Sequence, residues 1–332
     1  MNTHKLKEVP MNRVDPVSGA GFAGADASPA DIKILCCGIF PALQRTLELK
    51  TLKPGAVNRI RSVSLSVGGK ATNAARVLKA LGADPLLFGF AGGENGTTIK
   101  RLLDEEGIAH AFVETRADTR VCHTLLADDA ADFTELIEEG AEPGSGYWKD
   151  LLLNFNRLKK SSVIISGTLP ARAPQEIYAG LVQAAQGIPV ILDTSGEPLL
   201  AALEYQPALV KINAAELLKT MNSDQIETTA KEMIARGAGA VGITQGPDTA
   251  LLVTRKETIR FSIPKVNVVS TLGCGDSVNA GIAYALRKGS PLKEAFVFGL
   301  ACGASNATNR LPGVVNPDQI AALIMQIKTK EI

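Results

Sequence analysis

The chain has 332 residues, 45% of them hydrophobic, and a formal net charge of +1, enough apolar matter for one large α/β domain or two smaller ones. It carries no basic block and no apolar run of membrane-spanning length, which argues against nucleic acid or a membrane as the main partner. Five cysteines without CxxC spacing suit a reducing cytoplasm, and three histidines without an HExxH pattern give no histidine-based metal site.

Residues 1–31 include "VDPVSGAGFAGADASPAD", rich in Gly, Ala, Pro and Asp and without apolar period. They are expected to form a poorly ordered extension, and they lack the continuous apolar core of a secretory signal. Ordered structure is expected from "IKILCCGIF" (32–40), a buried strand whose Cys36 and Cys37 point to opposite faces. The stretch 45–67 alternates around a Pro-Gly turn and predicts half-exposed strands. Ala74, Val77, Leu78 and Leu81 place a helix over 70–81, 84–90 is again a buried strand, and 95–107 is a helix closed by glycine.

Residues 110–137 return to extended character, with His110 and His123 as ordinary strand or loop positions. Beyond 145, helices alternate with short apolar strands at 162–167, 188–196, 208–213 and 239–246. Such alternation predicts crossover units and a mainly parallel sheet flanked by helices. The whole reads as one α/β domain over 32–330, with a small β appendage from about 40–67 and 110–137. In such sheets ligands bind beyond the carboxyl ends of the strands.

Those strand ends carry the chemistry. "SVGGKATNAARV" (66–77) sets two glycines and a lysine before a helix, Arg120 lies beside the second group of strands, and "SGTLP" (166–170), "KINAAE" (211–216) and "TQG" (244–246) end three others. In "TLGCGDSVNAGIAYAL" (271–286), Gly273 and Gly275 precede a helix whose unpaired first N–H groups and dipole make an anion site. Asp276 at its edge is either a helix cap or a proton acceptor. Together these residues form an inventory for phosphoryl transfer: glycine-lined helix starts and cations for phosphates, with Asn and Glu for hydrated magnesium. A Walker loop is absent, because "GGKA" fails at Ala71 and Ser64, and there is no GxGxxG after an early strand.

In order, "GGKATNAARVLKALG", "TR" at 119–120, "ISGTLP", "ILDTSGEPLLAAL", "VKINAAEL" and "TLGCGDSVNAG" resemble the PfkB group of ribokinase-like carbohydrate kinases, over about 32–328. The branch most resembled holds the 1-phosphofructokinases, tagatose-6-phosphate kinases and the minor 6-phosphofructokinase. The resemblance implies a ribokinase-like three-layer α/β/α fold with a mainly parallel sheet and a small β-sheet lid, which often also forms a homodimer interface. It implies ATP and Mg²⁺ as cofactors and a sugar phosphate as partner. Asp276 would be the catalytic base, with the backbone of Gly273, Cys274 and Gly275 as anion hole. Lys70 and Arg120 would contact the substrate phosphate, and Gly69, Asn73 and Gln44 the sugar. Lys211, Asn213, Thr244 to Gly246 and Asn306 would contact the nucleotide, and Glu216 would organise magnesium through water.

This chain also departs from the family. The usual Asn-Pro-Ala-Leu-Asp becomes "FPALQ", so Phe40 and the uncharged Gln44 replace polar and acidic sugar contacts. Ala71 stands where glycine is usual, and "GPDT" has Thr249 in place of a second glycine. The expectation is an ATP-dependent kinase of a phosphorylated ketohexose: fructose 1-phosphate first, then tagatose 6-phosphate or fructose 6-phosphate. The rivals are a kinase of an unphosphorylated sugar or nucleoside and a non-catalytic sugar-phosphate sensor.

Overall fold

A computed structural model describes residues 33–129, 133–170 and 172–332; the expected extension at 1–31 lies outside them. In the first strand, Lys33–Cys37, every residue after Lys33 is buried. Ile34 and Cys36 join one apolar cluster, while Leu35 and Cys37 join another on the opposite face. A strand buried on both sides must be covered by helices on both sides.

That is the architecture. Ten strands form the main sheet, in the order Lys328–Glu331, Thr258–Ser262, Thr249–Val253, Val241–Gln245, Leu209–Asn213, Val190–Asp193, Ser162–Ser166, Lys33–Cys37, Asp84–Phe88 and Ala109–His110. Pairing is parallel from Val241–Gln245 to Ala109–His110. On one face pack the helices Lys70–Ala80, Gly93–Glu106, Cys274–Arg287, Leu292–Ala307 and Pro317–Ile324, and on the other those from Ser145–Arg157 to Ile226–Ala235. The fold is a three-layer α/β arrangement with a mainly parallel sheet, as expected. The three strands at the far edge are antiparallel; the last, Lys328–Glu331, is exposed throughout and carries no apolar signal that a sequence reading could use.

A second sheet has the order Ile60–Gly68, Ala42–Leu49, Val121–Ala127, Thr134–Ile137. The Pro-Gly turn lies in the loop of its first hairpin. The stretch around 110 belongs elsewhere: Ala109–His110 is the far edge of the main sheet, and Val113–Thr115 pairs with Phe90–Gly92. Because side chains alternate, Gln44, Ser66, Cys122 and Ile137 share one face, and Arg45, Leu65, His123 and Leu136 share the other. Among the described residues no helix is long and apolar enough to cross a membrane. His110 stacks on Phe112 and faces Asp104.

Ala71, the departure from the family's glycine, is accommodated by Gly38 at the end of the first strand. A Cβ on Gly38 would lie 2.6 Å from the Ala71 methyl. Overpacking of this kind costs about 1–3 kcal/mol. Gly38→Ala should therefore destabilise the protein by about that amount in urea unfolding, and Gly38→Ala with Ala71→Gly should recover most of the loss. Equal stability of the single and double variants would show that the contact is relieved in some other way.

Candidate active site

The carboxyl ends of the parallel strands open into a cleft of about 1580 Å³, partly covered by the Gln44 face of the small sheet. That exceeds the roughly 300–1,000 Å³ typical of a pocket for one small ligand. Strand parity decides what points into it. Ile191 and Leu209 face the core under helices Lys70–Ala80 and Cys274–Arg287, so Asp193 and Lys211, two residues on, face the same way. Ser166 follows Ile164 by the same rule.

Asp193, only 2% exposed, is the centre of the arrangement. Its Oδ1 accepts from Lys70 Nζ at 2.9 Å, and its Oδ2 accepts from Lys211 Nζ at 2.8 Å and from Asn279 Nδ2 at 2.7 Å. Burial opposes its ionisation, but the two ammonium groups overcome burial and hold the carboxyl well below the ordinary range. Burial likewise opposes the charge on Lys70, and Asp193 more than restores it.

Asp276 occupies the first turn of Cys274–Arg287, behind Gly273 in a left-handed conformation at φ 78°. A Cβ on Gly273 would lie 2.6 Å from that of Pro312, so this turn leaves no room for a side chain. The Asp276 carboxylate takes its hydrogen bond from Asn73 Nδ2, at 2.8 Å, across from helix Lys70–Ala80. Burial first, and then the charge of Asp193, push its carboxyl up to about 6, while Asn73, Lys70 and Lys211 pull it down. Lys211 Nζ reaches under the helix start, 2.7 Å from where a Cβ on Gly275 would stand. The Cys274 N–H donates to Thr271 O at 3.4 Å, so it is the N–H groups of Gly275 and Asp276 that are left to add donors to the same spot.

The sequence profile of the PfkB family of carbohydrate kinases matches residues 31–319. The chain belongs to this family. Escherichia coli phosphofructokinase-2 with potassium is 28% identical at a TM-score of 0.83, covering 89% of this chain and 98% of the relative; the same enzyme with fructose-6-phosphate is 27% identical at 0.81, with the same coverage. Arabidopsis thaliana ribokinase with ribose and ATP, at 20% identity, TM-score 0.72 and coverage of 89% and 99%, shares the fold. The protein is accordingly an ATP-dependent sugar kinase.

As a PfkB kinase, the chain brings Lys70, Asn73, Lys211, Gly273, Gly275 and Asp276 to one place, with Gln44 and Gly69 lining the adjoining part of the cleft. Gln44 donates to Thr124 Oγ1 at 2.8 Å, across the small sheet. Phe40 packs its ring against Phe90 and Trp148. Arg120 does not pair with Glu114, which is bound to Lys100; its guanidinium donates to the carbonyls of Phe40 at 2.9 Å and Glu138 at 3.2 Å. At the other end Asn213, Glu216 and Thr244 line the cleft. Asn213 and Glu216 also form a reciprocal capping box, with Glu216 N donating to Asn213 Oδ1 at 2.8 Å and Asn213 N to Glu216 Oε2 at 3.3 Å.

Four expected site residues, Gln245, Gly246, Cys274 and Asn306, lie outside the cleft lining. Gly246 is in a turn at φ 73°. The Cys274 thiol faces the Ser270 carbonyl and Asn306. Asn306 itself is fully buried, donating to Leu272 O and accepting from Gly313 N, both at 2.8 Å, so its amide braces the loops around the helix start. Sequence reasoning missed Asp193 and Asn279. The available signals were a carboxylate ending the apolar run "VILD" and an amide three residues after Asp276 on a buried helix.

Removing one member of a buried ion pair strands the other, at a cost of about 3 kcal/mol or more. Asp193→Ala should lower the unfolding free energy by about that much at neutral pH. Because the native carboxyl is held low, its stabilisation is complete above the ordinary carboxylate range and is lost as pH falls from there toward the lowered native value. The gap between wild type and variant in urea unfolding should thus narrow on acidification; a gap that stays constant would refute the assignment.

Proposed function

We propose that this kinase phosphorylates a hydroxyl of a phosphorylated ketohexose, with Asp276 as general base. One observation carries the reading: a carboxylate 6% exposed sits at a glycine-opened helix start, beside Lys70 and Lys211, in a cleft with room for two ligands. The acceptor hydroxyl gives its proton to Asp276 as its oxygen attacks the terminal phosphorus of ATP, and the bond from that phosphorus to the departing nucleoside diphosphate breaks. The N–H groups at Gly275 and Asp276, with the Lys211 ammonium beneath them, balance the charge on the moving phosphoryl group. Three buried atoms of residues lining the cleft, Asn73 Oδ1, Ser166 Oγ and Arg120 Nε, have no partner among the described residues; sugar hydroxyls are suited to donate to the first and to pair with the second.

Lys70 and Arg120 are the cations on the acceptor side. Fructose 6-phosphate heads the candidates because the Escherichia coli relative binds it; fructose 1-phosphate and tagatose 6-phosphate follow. A second reading, an unphosphorylated acceptor, is favoured by one fact: Nη1 and Nη2 of Arg120 already donate to two carbonyls, leaving Nε without a partner among the described residues. At the nucleotide end, Glu216 keeps one carboxylate oxygen outside its capping box and faces the cleft with Asn213. Such a donor set fits a Mg²⁺ that retains most of its waters and takes other ligands from phosphates. When bound, the ion would neutralise phosphate charge.

ADP release should be measured over a panel of phosphorylated and free sugars. Turnover on one sugar phosphate, lost about 10²-fold or more in Asp276→Asn, is the expected result; turnover on free sugars alone would select the second reading. Since Asp276 must be ionised to accept a proton and its carboxyl is held up at about 6, kcat should fall as pH drops through about 6. A flat profile from pH 5 to 8 would remove Asp276 as the base.

The face of the small sheet turned away from the cleft exposes Val63, Leu65 and Leu136 at 49%, 46% and 53%. A homodimer through this face is the reading that such a patch supports. Sedimentation should give a dimer mass for the wild type and a monomer for Val63→Lys with Leu65→Asp; a monomeric wild type would end the proposal.

A further inference from the structure

Asn279 lies on the buried face of helix Cys274–Arg287 and is 0% exposed. Amides avoid such positions unless hydrogen bonds compensate for the lost water. Here the Nδ2 donates to Asp193 Oδ2 at 2.7 Å, while the Oδ1 has no partner among the described residues. One polar half of the side chain is thus left unsatisfied so that the other can reach Asp193. An apolar residue would fill the position without that penalty, so packing alone does not account for an asparagine here.

What the amide accomplishes follows from the geometry of the carboxylate. Lys70 approaches Oδ1 from helix Lys70–Ala80, and Lys211 approaches Oδ2 from strand Leu209–Asn213. With only these two partners the carboxylate can swing about its χ2 torsion, which is broad and roughly two-fold for aspartate, carrying both ammonium groups with it. The third donor comes from the helix that bears Asp276 itself and fixes the plane of the carboxylate. Asn73 does the same for Asp276 from the facing helix, at 2.8 Å. Asp193 and Asp276 are therefore each held by a neutral amide, and the ammonium groups of Lys70 and Lys211 take their position from Asp193.

We infer that Asn279 is a positioning residue for phosphoryl transfer. It acts through Asp193 by locking the carboxylate that places the ammonium groups of Lys70 and Lys211. It does not touch the reacting groups. The inference rests on the phosphoryl-transfer reading of the cleft. Misplacing charge-stabilising groups by a fraction of an ångström weakens interactions made in the transition state more than those made with bound substrates.

The test is a double-mutant cycle on the full-length enzyme, using the sugar phosphate that the wild type turns over best. Asn279→Leu, close in volume and unable to donate, should lower kcat and kcat/KM together by about tenfold, leaving both KM values within about twofold. In an Asp193→Asn background the same substitution should cost less than about twofold further, because the two residues act as one unit. Thermal unfolding of each variant, with ligand-free protein, shows that the folded fraction is unchanged at the assay temperature. If Asn279→Leu is itself unfolded, Asn279→Ser takes its place in the same cycle. Additive losses in the two backgrounds, an unaltered kcat, or a rise in KM alone would overturn the proposal while the kinase reading stands. A wild type inert toward every acceptor would overturn that reading and this proposal with it.

Discussion

A single carboxylate shared by two lysines organises the cleft. Asp193 is buried where an isolated charge would be costly, and three donors from three different elements meet it: Lys70 from a helix, Lys211 from the next strand and Asn279 from a second helix. Opposite unit charges about 4 Å apart attract by about 4 kcal/mol at an intermediate effective dielectric, so none of these groups can leave without stranding the others. The same cluster separates the behaviour of two neighbouring carboxyls. Asp193 is driven low by its ammonium partners, while Asp276, with burial as its largest influence, is driven up to about 6. Two like groups pushed in opposite directions by their surroundings is the pattern expected where one keeps a charge and the other exchanges a proton.

This arrangement is a consequence of strand parity and helix starts more than of loops. Every group that meets Asp193 sits on a strand or helix whose neighbouring side chains are packed in the core on one or both faces of the sheet. Rigid elements hold such groups to tolerances that loops do not. The Gly273 turn then brings the start of Cys274–Arg287 against Pro312, with Lys211 close to Gly275. The cation and the helix N–H groups thereby converge on one spot without any side chain between them.

Much of this was legible in the sequence, and the failures have physical causes. Buried strands and amphipathic helices announce themselves by local periodicity, and glycine-opened helix starts by composition, so the sheet, its helices and Asp276 could all be read. Asp193 could not be placed, because its partner Lys70 is 123 residues away and no local pattern encodes that pairing. Asn279 looked like one more helix position. For Asn306 the sequence cannot separate a buried amide from a ligand-facing one, since both have the same letter; the bonds to the carbonyl of Leu272 and the N–H of Gly313 are visible only in the structure. The edge strand Lys328–Glu331 was invisible because an exposed edge needs no apolar alternation.

Three of the four departures from the family pattern, Phe40, Gln44 and Ala71, lie at the proposed sugar end, and each of these is absorbed by a neighbour. Ala71 is matched by the bare Gly38, Phe40 by the rings of Phe90 and Trp148, and Gln44 by Thr124 on the adjoining strand. Under the proposed function, these contacts leave neutral groups at the sugar end. A carboxylate at position 44 would accept strongly from sugar hydroxyls, as charge-assisted hydrogen bonds do. Gln44 already donates to Thr124 and offers its carbonyl oxygen, which packs over Gly68. Under the proposed function, recognition at this end would depend on the shape and hydroxyl pattern of the acceptor more than on charge, while Lys70 and Lys211 stay fixed by Asp193. On that division, changes at Gln44 and Phe40 would alter which sugar is accepted, and changes at Asp193 would alter how fast any sugar is phosphorylated.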